Sequence, residues 1–209
     1  GSPMYEVLNK FSPKIKASKI IDKLELTKNK FFVVSAHREE NISSPKNLNG
    51  LINSLNQIAE LYNYPIIVSA HPRTRNMIND KEIKTHKNIH ILKPLGFSDY
   101  NCLQMNSFAV LSDSGTINEE SSILNFRALN LRDAHERPEA MEEASVMMVG
   151  MNTDRIIQGL TELSRQEIKE NRNFREVSDY SMPNVSLKVV RIIISYVDYI
   201  NQNVYKKLH

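Results

Sequence analysis

The sequence predicts a doubly wound α/β fold on a parallel sheet, and three observations predict it. Short apolar runs alternate with longer segments of helical period through most of the 209 residues. Several runs are apolar almost without a break, the pattern of parallel strands covered on both faces. Polar clusters follow three of the runs directly, at the strand ends where open parallel sheets carry ligands.

The elements follow in chain order. Buried strands are expected at 31–36 (FFVVSA), 65–70 (PIIVSA), 88–92 (NIHIL), 107–112 (SFAVLS), 127–131 (RALNL) and 145–150 (SVMMVG). Between the first two, Leu48, Leu51, Ile52, Leu55, Ile58, Ala59 and Tyr62 recur at helical spacing over 45–62. Ser44 is a suitable N-cap there, with Pro45 at the first helical position. Shorter helices are expected at 73–79, 98–105, 115–124 and 153–165, the last capped by Thr153. Strand–helix alternation of this kind implies right-handed crossovers. The segment 182–207 reads as one long helix with Val185, Val189, Ile193, Tyr196, Val197, Ile200 and Val204 along a stripe. That stripe either packs on its own sheet or meets a partner surface.

Bulk properties narrow the function. The chain is 41% hydrophobic and 24% charged, with a net charge of +3. Such a balance is too weakly basic to imply a nucleic-acid partner, and Lys14, Lys16, Lys19, Lys23, Lys28 and Lys30 read as a solvated face. The lone Cys102 excludes an internal disulfide and a cysteine-based zinc site. The amino terminus shows no apolar signal-peptide core, and the most hydrophobic run, 189–197, is interrupted by Arg191. A cytoplasmic protein with no membrane partner is expected.

Three strand ends carry the chemistry: SAHREEN (35–41), SAHPRTR (69–75) and LSDSGTINEE (111–120). His37 and His71 fall at equivalent strand ends. Ser114 and Gly115 lie at a strand-to-helix turn, where backbone N–H groups and the helix dipole favour an anion. Gly115 would let that anion approach closely; alternatively Asp113 or Ser114 caps the helix and Gly115 eases the turn. Glu119 and Glu120 follow one turn later, placed to accept hydrogen bonds from a ribose diol. Arg132 and Arg137, after the next strand, suit a diphosphate, although Arg137 has Glu136 and Glu139 nearby as surface partners. Dinucleotide and P-loop glycine patterns are missing, and His37, His71 and His135 could form only a dispersed metal site, without the local spacing of metalloenzyme motifs.

In this order, AHREEN, SAHP, Pro94-Leu95, SDSGTINEE and LRDAHERPE followed by MMVG resemble the non-hydrolysing UDP-N-acetylglucosamine 2-epimerases. DSGTINEESSILNF and HERPEAMEEASVMMVG most resemble the subgroup of N-acetyl-L-fucosamine synthesis for surface polysaccharides. The resemblance implies a Rossmann-like lobe, the second of a two-lobed GT-B-type fold, with a long C-terminal helix. It divides the chain into an interlobe connection and first helices (1–29), a UDP-binding lobe (30–180) and a final helix crossing to a first lobe (181–209).

Carried over by position, His37 is a catalytic residue near the diphosphate, and Arg38 and His71 are polar cleft residues. Tyr100 packs on uracil beside the loop of Pro94, Leu95 and Gly96. Ser114 and Gly115 seat the diphosphate, Glu120 holds the ribose, and Arg137 is the cleft arginine. Glu119 is the local candidate for proton transfer at C2. Two positions depart from the family: Thr116 replaces a second glycine, and Arg127 replaces a proline and reads as a surface change.

The implied reaction eliminates UDP to a glycal, reprotonates C2 from the other face and adds UDP back, with no cofactor and no metal. Implied partners are a UDP-sugar and the missing N-terminal lobe, without which turnover is not expected; the exposed final helix also suits a homodimer. A GT-B glycosyltransferase lobe and a non-enzymatic nucleotide-sugar module are the alternatives.

Overall fold

A computed structural model of the chain describes residues 1–36, 45–70, 75, 83–134 and 137–206. Its centre is a six-stranded parallel sheet of β1 (Phe32–Ser35), β2 (Ile66–Ser69), β3 (Ile89–Leu92), β4 (Ala109–Ser112), β5 (Ala128–Asn130) and β6 (Met147–Met148). The spatial order is β3-β2-β1-β4-β5-β6, so the strand order reverses between β1 and β4. Ser35 stands opposite Ser112 in the register of that pair. In open parallel sheets ligands bind at such a reversal, outside the carboxyl ends of the two strands.

Alternation along the strands explains their unbroken apolar runs. Phe32 and Val34 face one layer, with α3 (Pro45–Tyr62) and α7 (Thr153–Leu163) supplying Leu48, Ile52, Leu55, Ile156 and Leu160. Phe31 and Val33 face the other, where α1 (Pro3–Lys16), α2 (Ile20–Lys23), α4 (Phe97–Asn106) and α5 (Ile117–Leu124) supply Leu8, Ile15, Ile20, Leu103 and Ile117. Both faces are covered, so the strands are apolar along most of their length, with polar residues such as Ser35, Ser69, Ser112 and Asn130 at their carboxyl ends.

All six expected strands are present, although 145–150 contracts to the two-residue edge strand β6. The helix at 45–62 has the expected bounds. Its cap Ser44 lies outside the described residues, as does 73–79 apart from Arg75. The helix expected at 115–124 starts at Ile117, after a turn through Gly115 and Thr116. Asn152, not Thr153, caps α7: its extended backbone lets Oδ1 accept from Arg155 N–H at 3.1 Å. The Thr153 hydroxyl instead meets Ser54 on α3 at 2.6 Å.

Arg127 is more than a surface substitution. Its Nε donates to Gln166 O at 2.9 Å while its guanidinium lies 5.4 Å from the Phe108 ring centroid. It thereby fastens the end of α7 to the rim of the sheet.

The final helix, α8 (Val185–Asn203), is shorter than 182–207 and does not pack on its own sheet. Val185 is buried, but Ile193, Ile194 and Tyr196 are 59%, 69% and 56% exposed. Its start is anchored. Gly1 packs against Val185 and Met182 so closely that an added β-carbon would lie 2.6 Å from Val185 Cγ2. Asn184, at φ 59°, makes no side-chain cap. Glu6 on α1 takes over, accepting from Ser186 N–H at 3.3 Å and Ser186 Oγ at 2.7 Å. A carboxylate thus covers an N-terminal amide that α8 itself leaves unpaired. No helix among the described residues is long and apolar enough to cross a membrane.

Candidate functional site

The reversal point of the sheet gathers polar groups from three elements. From β4 come Ser112 and the fully buried Asp113, whose N–H donates to Ser35 O on β1 at 3.1 Å. From the turn come Ser114, Gly115 and Thr116. Ser114 N–H donates to Ser112 Oγ at 3.1 Å, and Thr116 N–H to Ser114 Oγ at 3.3 Å. Small hydroxyl residues thus satisfy the turn's own backbone donors. Neither Asp113 nor Ser114 caps α5, whose N-cap position is Thr116 with no side-chain cap bond; Ser114 instead orders the turn before the helix.

From α4 come Tyr100 and Gln104, one helical turn apart and so on one face. The Tyr100 hydroxyl is hydrogen-bonded to Ser35 and faces Glu120 and Asp113. Burial, reinforced by those two carboxylates, pushes the phenol well above its ordinary range. Gln104 Nε2 donates to Glu120 Oε2 at 2.8 Å. The adjoining loop of Pro94, Leu95 and Gly96 ends at the N-cap of α4, where Gly96 O accepts from Tyr100 N–H at 2.9 Å.

Glu119 and Glu120 are both buried, but neighbouring helical positions point about 100° apart. Glu120 faces Gln104 and Thr116. Burial pushes its carboxyl up, Gln104 and Thr116 pull it down, and Glu119 adds to the rise. Glu119 faces Ser2 Oγ, which donates to it at 2.5 Å, and Arg137 Nη2 at 3.2 Å. Ser2 also caps α1 by accepting from Met4 N–H at 3.1 Å. One serine therefore joins the first residues of the chain to the helix that carries Glu120.

Arg137 pairs with Glu119, not with Glu139. Glu139, at the start of the short helix α6 (Glu139–Glu142), accepts instead from Tyr180 OH at 2.9 Å, and burial, reinforced by that hydrogen bond, pushes the Tyr180 phenol up. Arg132 is buried at the end of β5.

The structure thus gathers Tyr100, Ser114, Gly115, Glu119 and Glu120 at the reversal point and ties Arg137 to Glu119. His37, Arg38, His71 and His135 lie outside the described residues. Sequence reasoning passed over Ser2, Ser35 and Gln104. Gln104 carried a usable signal, a polar residue on the buried face of α4 four positions after Tyr100. Ser2 meets a carboxylate 117 positions away and had none.

Chemically, the turn offers hydroxyls and helix N-terminal amides to an anion. Glu120 offers a buried carboxylate to a diol, Tyr100 an aromatic face, and Arg137 a cation already oriented by Glu119.

Comparison with known proteins places this arrangement. A solved structure of UDP-N-acetylglucosamine 2-epimerase from Rickettsia bellii is 45% identical, with a TM-score of 0.89, over 99% of this chain and 55% of that one. The Methanocaldococcus jannaschii UDP-GlcNAc 2-epimerase, solved in complex with UDP-GlcNAc and UDP, is 25% identical with a TM-score of 0.80, over 93% of this chain and 54% of that one. The curated UDP-N-acetylglucosamine 2-epimerase of the same organism is 30% identical over 167 residues, 78% of this chain and 44% of the relative. The chain spans about half the length of the relatives it matches. The sequence profile of the UDP-N-acetylglucosamine 2-epimerase family matches residues 1–194, and the chain belongs to that family.

Proposed function

We propose that the chain is the UDP-binding C-terminal lobe of a UDP-N-acetylglucosamine 2-epimerase. One observation carries this: the Ser114–Gly115 turn, the buried Glu120 and Tyr100 meet at the reversal point of the sheet. Their chemistry, an anion-favouring turn, a carboxylate and an aromatic ring, suits a diphosphate, a ribose and a uracil. In this reading Ser114 and Gly115 seat the diphosphate, Glu120 accepts from the ribose diol, and Tyr100 with Pro94, Leu95 and Gly96 borders the base. His37, Arg38 and His71 complete the cleft. The relative solved with UDP-GlcNAc and UDP supports the choice of ligand.

The reaction is elimination of UDP and re-addition after reprotonation at C2. A departing diphosphate gains charge, and preorganised N–H groups, Arg137 and a protonated His37 stabilise it. Glu119 is bonded to Ser2 and Arg137, which supports a role in orienting Arg137 beside any proton transfer it performs. The proton transfers at C2 need further groups from a first lobe, which α8 would carry against its apolar side. A cytoplasmic site and the N-acetyl-L-fucosamine subgroup complete the proposal; the wording of residues 113–126 and 135–150 supports the subgroup.

Calorimetric titration of the folded chain should detect UDP binding in the micromolar-to-millimolar range without C2 deuterium exchange. Adding a first lobe should restore exchange. No UDP binding at millimolar concentration sinks the site assignment, robust exchange by this chain alone sinks the need for a first lobe, and sugar transfer in place of exchange favours a glycosyltransferase.

A further inference from the structure

Thr116 stands where the family usually has glycine, and the structure brings its side chain to the buried carboxylate of Glu120. Glu120 receives Gln104 Nε2 at 2.8 Å, and Thr116, four positions earlier on the same helical face, pulls its carboxyl down. Thr116 Oγ1 also lies 3.0 Å from Ser114 Oγ.

The direction of these bonds follows from proton counting. A hydroxyl has one proton to donate, and an ionised carboxylate has none. A Thr116 hydroxyl that turns its proton to Glu120 accepts from Ser114. The amide of Gln104 is oriented by the same logic, its nitrogen toward the carboxylate. An ionised carboxylate has about four lone-pair directions. Gln104 occupies one of them and Thr116 can take a second, which leaves two for a vicinal diol.

The charged and titratable groups facing Glu120 among the described residues are Glu119 on α5 and Tyr100 on α4, with Asp113 beyond Tyr100. Arg137 is turned to Glu119. With burial around it and a like charge beside it, Glu120 depends on neutral donors for its charged form. Resting on the UDP reading above, we propose that Thr116 and Gln104 are positioning residues that keep Glu120 ionised and aimed at the ribose diol. Selection of a ribonucleoside diphosphate over its 2′-deoxy counterpart then depends on both.

The test uses the full chain with Thr116→Val, Thr116→Ser and Gln104→Leu, each checked for folding by circular dichroism. Carbon-13 titration of the Glu120 carboxyl should give a midpoint that rises in Thr116→Val and in Gln104→Leu and returns in Thr116→Ser. Calorimetry at pH 7 should show UDP preferred over 2′-deoxy-UDP by about tenfold or more in the native chain, falling to about threefold or less in the two disruptive variants. A Glu120 midpoint unmoved by both variants overturns the proposal, as does a preference that survives both. If the native chain binds no UDP, the nucleotide reading falls, and the carboxyl titration still decides whether Thr116 and Gln104 hold Glu120.

Discussion

Glu120 is held against the preference of its surroundings. Burial pushes its carboxyl above the ordinary carboxylate range, so its charged form is the one the fold disfavours. A carboxyl raised on folding supports stability below its unfolded pKa, and that support is lost as pH rises through the folded value. At neutral pH the ionised group therefore destabilises the lobe. Glu120→Gln should melt a few degrees higher than the native chain at pH 7. That advantage should shrink at pH 4, which differential scanning calorimetry would show. The same variant should lose about tenfold or more in UDP affinity. Gain of stability with loss of ligand is the mark of a residue retained for function. Little of this was legible beforehand. Glu120 could be named from its position after the turn, but its donors come from α4 and the turn, and only tertiary packing brings Gln104 within 2.8 Å.

Helix α7 is ruled by contact more than by propensity. Gly159 faces β5, and a β-carbon there would lie 2.9 Å from Leu129 Cδ2 and 3.2 Å from Val149 Cγ1. Gly159→Ala should gain about 1 kcal/mol of helix propensity yet lose about 1–3 kcal/mol to overpacking. Chemical denaturation should show net destabilisation. At α8 the sensitive group is Glu6, whose carboxyl is held below its ordinary value chiefly by the Ser186 hydroxyl. A carboxyl depressed on folding stabilises above its unfolded pKa, and the effect is lost as pH falls through the folded value. Protection of first-turn α8 amides against hydrogen exchange should fall on acidification through and below the carboxylate range. Glu6→Gln should weaken that protection at neutral pH and remove most of its pH dependence. Strands and long helices were legible because apolar period is a local property; 31–36 and 45–62 carry it plainly. The cap of α7 was not, because Asn152 and Thr153 are both suitable and backbone conformation decides between them. Arg127 was misjudged for a similar reason: its partners, Phe108 and Gln166, are distant in sequence.

At the scale of the molecule, most apolar residues of α8 beyond Val185 stand in solvent. An apolar surface of this kind seeks cover. Light scattering should show the apparent mass of the chain rising with concentration, and Ile193→Glu combined with Tyr196→Glu should restore a monomer. A constant monomer mass at high concentration would contradict this. The anchoring of that helix has a mechanical consequence. The beginning of α1 and the beginning of α8 share one corner, where Gly1 meets Val185 and Glu6 meets Ser186. Ser2, the next residue along, is bonded to Glu119 beside Arg137. Nineteen helical residues make a lever about 28 Å long, pivoted on that corner. A 10° swing at the pivot moves the far end by about 5 Å while shifting groups near the pivot by only a fraction of that. A body gripped by the tip could travel far for a small adjustment around Glu119, and torque on the tip would be felt first at the serine that fastens the chain's first residues to α5.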